Sequence, residues 1–103
     1  MAIIARWTTP AISFKPSMVE PGSISEIKCV LTQNGVDLIV KTLEDATINE
    51  GRFIWQLTQE ESALLATHRA TMLQFDYLAT SGMRYTTIPQ KYDTMNSATG
   101  EAM

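Results

Sequence analysis

Two residues, Asn34-Gly35, constrain this chain more than any others. They stand between a run in which Ile27, Cys29 and Leu31 alternate with Lys28, Val30 and Thr32, and a run over residues 36–43 rich in β-branched and aliphatic side chains. Asn and Gly both tolerate the positive φ angles that a two-residue connection needs if two right-twisted strands are to fold back on each other, so the segment predicts a tight β-hairpin. A chain built around such a hairpin must bury one face of a sheet against something else.

The rest of the sequence supplies more of the same. Ile12 and Phe14 alternate with Ala11, Ser13 and Lys15 before Pro16 ends the pattern, and Pro21-Gly22 centres a stretch of turn chemistry over 16–25. After Glu44-Asp45 a short strand is expected over 46–49, then a turn at Glu50-Gly51, then a strand over 52–57 with Phe53, Trp55 and Leu57 on one face. Thr58-Gln59-Glu60-Glu61 has the form of a capping box, in which the threonine hydroxyl accepts from the backbone of the third helical residue and the glutamate reaches back. It predicts a short helix over 62–67 with Leu64 and Leu65 as its apolar contact. A long strand follows over 70–80, then a two-residue turn at Ser81-Gly82 and a return strand over 83–88 that Pro89 interrupts.

Six or seven strands joined by close turns, with one short helix, predict an all-β fold: an antiparallel, immunoglobulin-like β-sandwich with extended terminal arms. Residues 1–92 are read as one domain that includes an amino-terminal arm over 1–9, and residues 93–103 as a polar tail without apolar period. The expected core is the set of one parity on each strand: Ile12, Phe14, Ile27, Cys29, Leu31, Phe53, Trp55, Leu57, Leu73, Phe75 and Tyr77. At 103 residues, with 45% apolar and 18% charged residues, the chain has the composition of a single globular domain.

Charge and residue chemistry narrow the function. Eight Lys and Arg are scattered among eleven Asp and Glu, for a formal net charge of −3, which disfavours nucleic acid as a partner because such binding needs clustered positive charge. No apolar run approaches a membrane span, and the first residues lack a signal-peptide pattern, so neither a membrane nor a secretory route is expected. The single cysteine, Cys29, reads as a buried core thiol, and the single histidine, His68, as a surface or structural residue, because no nucleophile stands in a recognisable motif beside it. One His and one Cys do not fill a metal-ligand set. The acidic pairs Glu44-Asp45 and Glu60-Glu61 read as solvated charge, the second also as helix capping. No cofactor, no small-molecule substrate and no catalytic residue are therefore expected, and a small hydrolase ranks last among the functions considered.

Several segments are similar to a group of small virion-associated proteins encoded in phages and prophages of Firmicutes. They are Arg6-Trp7-Thr8-Thr9-Pro10, Gln33-Asn34-Gly35, Lys41-Thr42-Leu43-Glu44-Asp45, Leu57-Thr58-Gln59-Glu60-Glu61 and Ala79-Thr80-Ser81-Gly82, and the likeness spans residues 6–88. The pattern of that group has a small residue where Trp7 stands. The resemblance implies a β-sandwich like the amino-terminal domain of baseplate and tail-fibre proteins. It also implies a structural role in the virion, in the tail and baseplate or as a capsid decoration protein, assembled in the bacterial cytoplasm. The partners would be other virion proteins, including copies of this chain. The alternative is a prophage interaction module outside the virion that binds a host or regulatory protein. Contacts are expected at the arms through Ile3, Ile4, Trp7, Tyr92 and Met95, because Ile3 and Ile4 have no evident core role and Trp7 is either core or an exposed anchor. Strand addition at a sheet edge, or an arm lying across the neighbouring subunit, is the expected mode.

Overall fold

In the computed structural model, which describes residues 3–17, 19–67 and 69–96, the central hairpin is formed by β3 (Ile24–Gln33) and β4 (Val36–Thr42). Asn34 and Gly35 have φ of 53° and 75°, as a two-residue turn with both residues left-handed requires. β3 then pairs on its other side with β7 (Thr71–Ala79), the longest ladder in the molecule.

A six-stranded sheet is completed around this pair by β1 (Ile3–Ala5), β8 (Arg84–Thr86) and β9 (Gln90–Met95). β8 and β9 share one edge of β7, with β9 against Thr71, Met72 and Leu73 and β8 against Asp76, Tyr77 and Leu78. The step between them falls at Thr87, Ile88 and Pro89. There the Thr87 hydroxyl takes the Phe75 N–H at 3.0 Å, and the Thr87 N–H returns to the Phe75 carbonyl at 3.0 Å. A proline has no N–H to continue a ladder, so the strand breaks where the sequence places Pro89. The second sheet has three strands: β2 (Ala11–Phe14), β6 (Arg52–Gln56) and β5 (Thr47–Asn49), in the order β2-β6-β5.

The two sheets close on an aromatic stack. Phe14 of the small sheet lies 4.3 Å from Phe75 of the large one at an interplanar angle of 13°, and Trp55 lies 5.7 Å from the same ring. Every residue of the expected core is buried except Phe14, which is half-buried and packed against it. Trp55 is fully enclosed and its indole N–H donates to the Thr42 carbonyl at 2.9 Å, so the ring buries its area without orphaning its one polar atom. The chain is an all-β sandwich.

Several details depart from the expectation. The described residues form nine strands, because Ile3–Ala5 at the sheet edge is too short to show a period and the polar residues of Gln90–Met95, between β1 and β7, conceal one. β1 runs parallel to β9, so the fold is not antiparallel throughout. The helix α1 occupies Gln59–Ser62, directly after the Thr58 cap and not after the box as a whole. Leu65 is buried there while Leu64 is 57% exposed, so only one of the two leucines makes the apolar contact. The connection after β7 spans Thr80, Ser81 and Gly82, with Gly82 at φ 94° and the Ala79 N–H bonded to the Met83 carbonyl at 2.8 Å. His68 lies outside the described residues, as do positions 97–103 of the tail.

Candidate partner-contact site

β1 joins the large sheet through a parallel register with β9: Ile3 opposite Asp93, Ile4 opposite Thr94, Ala5 opposite Met95. Side chains alternate across a sheet, so this register sorts the expected contact residues by face. Ile4 points into the sandwich and is 2% exposed, beside Thr94 at 8%. Ile3 and Met95 take the outer face and remain 52% and 51% exposed.

Two corrections follow. Ile4, expected to have no core role, is buried in the core; in a strand of three residues no period distinguishes it from Ile3. Residues 93–95 belong to a strand and not to a loose tail, because Thr94 has a buried partner. Its hydroxyl shares a 2.9 Å hydrogen bond with Thr71, which in turn accepts from Gln33 Nε2 at 2.9 Å. Tyr92 faces the same way as Thr94, half-buried against the core. The structure therefore brings Ile3 and Met95 together on one face and turns Ile4 and Tyr92 away from it.

Trp7 is half-buried and takes φ of 62°. For a bulky residue the left-handed region is unusual and costs roughly 1–2 kcal/mol. Its neighbours explain why the conformation persists. On one side the Arg6 N–H donates to the Met95 carbonyl at 2.7 Å, which extends the β1–β9 ladder by one rung. On the other side Thr8 is bound to α1: its N–H donates to Ser62 Oγ at 3.1 Å, and Ser62 Oγ lies 2.8 Å from the Thr8 carbonyl. The Thr8 hydroxyl also donates to the Ala5 carbonyl at 2.6 Å. Trp7 is thus the single residue between two anchored points. The Arg6 guanidinium reaches Asn96 Oδ1 at 3.1 Å and the Ala63 carbonyl at 2.9 Å, while its Nε is buried without a hydrogen-bond partner.

The remaining candidate residues have structural explanations. Cys29 is fully buried, and burial pushes its thiol up to about 12, which leaves it un-ionised and inert at neutral pH. Asp45 accepts from the Thr42 N–H at 3.0 Å, and this backbone bond is the main cause that lowers its carboxyl. Glu61 accepts from the Thr58 N–H at 2.9 Å and pairs with Lys41 at 2.6 Å; burial pushes its carboxyl up, but these bonds outweigh that and leave it lowered. Neither acidic pair forms a two-carboxylate site. Among the described residues no group of three or more His, Cys, Asp and Glu could hold a metal ion, and no helix is long and apolar enough to cross a membrane. A shallow groove on the outer face of the large sheet is lined by Glu26, Lys28, Asp76 and Arg84, whose alternating charges give it no net sign.

Sequence reasoning missed Gln33, which is 3% exposed. Besides Thr71, its amide takes the Ala66 N–H at 2.9 Å and donates to the Ala66 carbonyl at 3.0 Å, so it ties Ala66 to β3. The signal was present, since residue 33 continues the inward parity of residues 27, 29 and 31. Ser62, whose hydroxyl holds the arm, carried no such signal. Neither the protein-family models nor the curated proteins contain a match to this chain.

Proposed function

We propose that this chain is a non-enzymatic structural protein of a phage virion that works by protein–protein contact. The observation that carries the reading is the β1–β9 corner, where Ile3 and Met95 expose about half of their surface on one face of a sheet edge. Large apolar side chains exposed on the same face of a sheet edge are a feature of surfaces that another chain covers. The resemblance of residues 6–88 to small virion-associated proteins supplies the setting, with the tail and baseplate or the capsid surface as the place. The partners are other virion proteins and copies of this chain.

Mass spectrometry of purified particles of the encoding phage tests this: a stoichiometric amount of the chain is expected, and its absence overturns the virion role. The contact surface is tested separately with the double substitution Ile3→Ser and Met95→Ser. Both positions face outward, so the variant keeps its melting temperature and loses incorporation. Normal incorporation by that folded variant places the contacts elsewhere on the sandwich.

A further inference from the structure

Resting on the reading of the β1–β9 corner as a contact surface, we propose that its partner is a second copy of this chain and that the two copies exchange β1. The seat along β9 is specific for a short strand: it supplies three residues in parallel register and an inward pocket that Ile4 fills to 2% exposure. In one chain that guest is the chain's own β1. The same guest from a neighbour would make the same ladder, the same buried isoleucine and the same outer pair of Ile3 and Met95.

The hinge favours exchange. β1 can stay in its own seat only while Trp7, between the anchored Arg6 and Thr8, holds φ at 62°. If Trp7 relaxes to the extended region that any bulky residue prefers, the chain leaves Thr8 in another direction and carries β1 away from its own β9. Exchange between copies then restores every β1 contact in trans without the left-handed tryptophan. Among the described residues, the one buried side-chain nitrogen or oxygen lacking a hydrogen bond, Arg6 Nε, lies at the same hinge. Two discomforts of the closed form thus fall where an exchanging arm must bend. This is the condition under which swapping an identical element is an inexpensive route to a dimer.

Cysteine trapping tests the exchange on purified protein. Ile3 and Asp93 are register partners on the outer face, and neighbouring strands hold such pairs within the range a disulfide spans. The native Cys29, buried and un-ionised, does not compete. The double variant I3C/D93C should close its disulfide within one chain when oxidised at low concentration; failure to close would mean that β1 is not seated on β9, and would overturn the proposal. When single variants I3C and D93C are mixed at high concentration and oxidised, the disulfide-linked heterodimer should exceed both homodimers and should rise with concentration. Adding Trp7→Gly to both variants removes the strain of the closed form. It should lower the heterodimer yield at least about fivefold, the factor that corresponds to roughly 1 kcal/mol. Trp7→Asn, which also accepts left-handed backbone, should lower it too and guards against a folding defect in the glycine variant. A heterodimer no more abundant than the homodimers, or one indifferent to concentration and to both Trp7 substitutions, would overturn the exchange. No particle enters the assay, so its failure leaves the virion reading standing, and loss of particle incorporation leaves the exchange standing.

Discussion

The β3–β7 pair and the β1–β9 pair belong to one sheet and are held in different ways. β3 and β7 align eight residue pairs, and their inward side chains Ile27, Cys29, Leu31, Leu73, Phe75 and Tyr77 are all at most 6% exposed. β1 and β9 align three pairs, place one apolar side chain inside, and depend on a left-handed tryptophan and a partly unsatisfied arginine at their hinge. The long pair carries the burial that makes the domain fold. The short pair adds a three-residue edge strand and leaves Ile3 and Met95 exposed on its outer face.

Substitutions separate the two regions, from the largest effect downward. Trp55→Ala, in the centre of the aromatic stack, should cost about 3–5 kcal/mol in denaturant titration and abolish a cooperative transition in a domain of ordinary stability. An unchanged midpoint would mean that the stack does not carry the fold. Ile4→Ala should cost near the lower end of the roughly 2–5 kcal/mol typical of buried isoleucine, because a three-residue edge strand collapses or detaches with little else lost. A cost equal to that of Trp55→Ala would make the corner part of the core and erase the contrast. Gln33→Ala leaves the Ala66 N–H without its partner and should cost about 1–3 kcal/mol, with faster exchange of the Ala66 amide. Thr58→Ala removes the hydroxyl that accepts from the Glu61 N–H at 3.1 Å and should cost about 1 kcal/mol.

The smallest effect is in pH. Asp45 and Glu61 both have lowered carboxyls in the folded chain, so the stabilisation they give is present above their unfolded values and is lost as pH falls through the folded ones. Stability should therefore decline as the pH drops below about 4.5, the ordinary value for Glu61. Glu61→Gln should flatten that slope and cost under about 1 kcal/mol at neutral pH, as expected of a partly exposed pair with Lys41. A slope unchanged in the variant would show that Glu61 does not contribute to it.

The region with period was legible in the sequence and the region without it was not. Alternation placed Ile27, Cys29, Leu31, Phe53, Trp55 and Leu73 inside, because a period of two has a single solution once one face must be buried. Asn34-Gly35 marked the hairpin turn, but not the register shift between Leu31 and Thr32 that leaves Leu38 unpaired in the ladder. Ile3-Ile4-Ala5 is too short to show alternation, and its place beside β9 depends on a pairing across some ninety residues that no local preference encodes. The break in the strand at Pro89 was visible, since proline cannot donate. That β9 would resume beyond it was hidden by the polar appearance of Gln90, Lys91, Asp93 and Thr94, of which Thr94 is buried through its hydroxyl contact with Thr71. Of the five residues expected at the contact site, Ile3 and Met95 are exposed together, Trp7 is the hinge, and Ile4 and Tyr92 face the sandwich.

Native-state hydrogen exchange measures the difference between the two pairs most directly, because it reports the free energy of opening each hydrogen bond separately. The Arg6 amide, bonded to the Met95 carbonyl, should exchange through a local opening that does not involve the rest of the fold, while the β3 and β7 amides exchange only with global unfolding. Trp7→Gly should slow the Arg6 amide and leave the others unchanged. An Arg6 amide as protected as those of Cys29 and Leu31 would contradict the account, since β1 would then open only when the whole sandwich does.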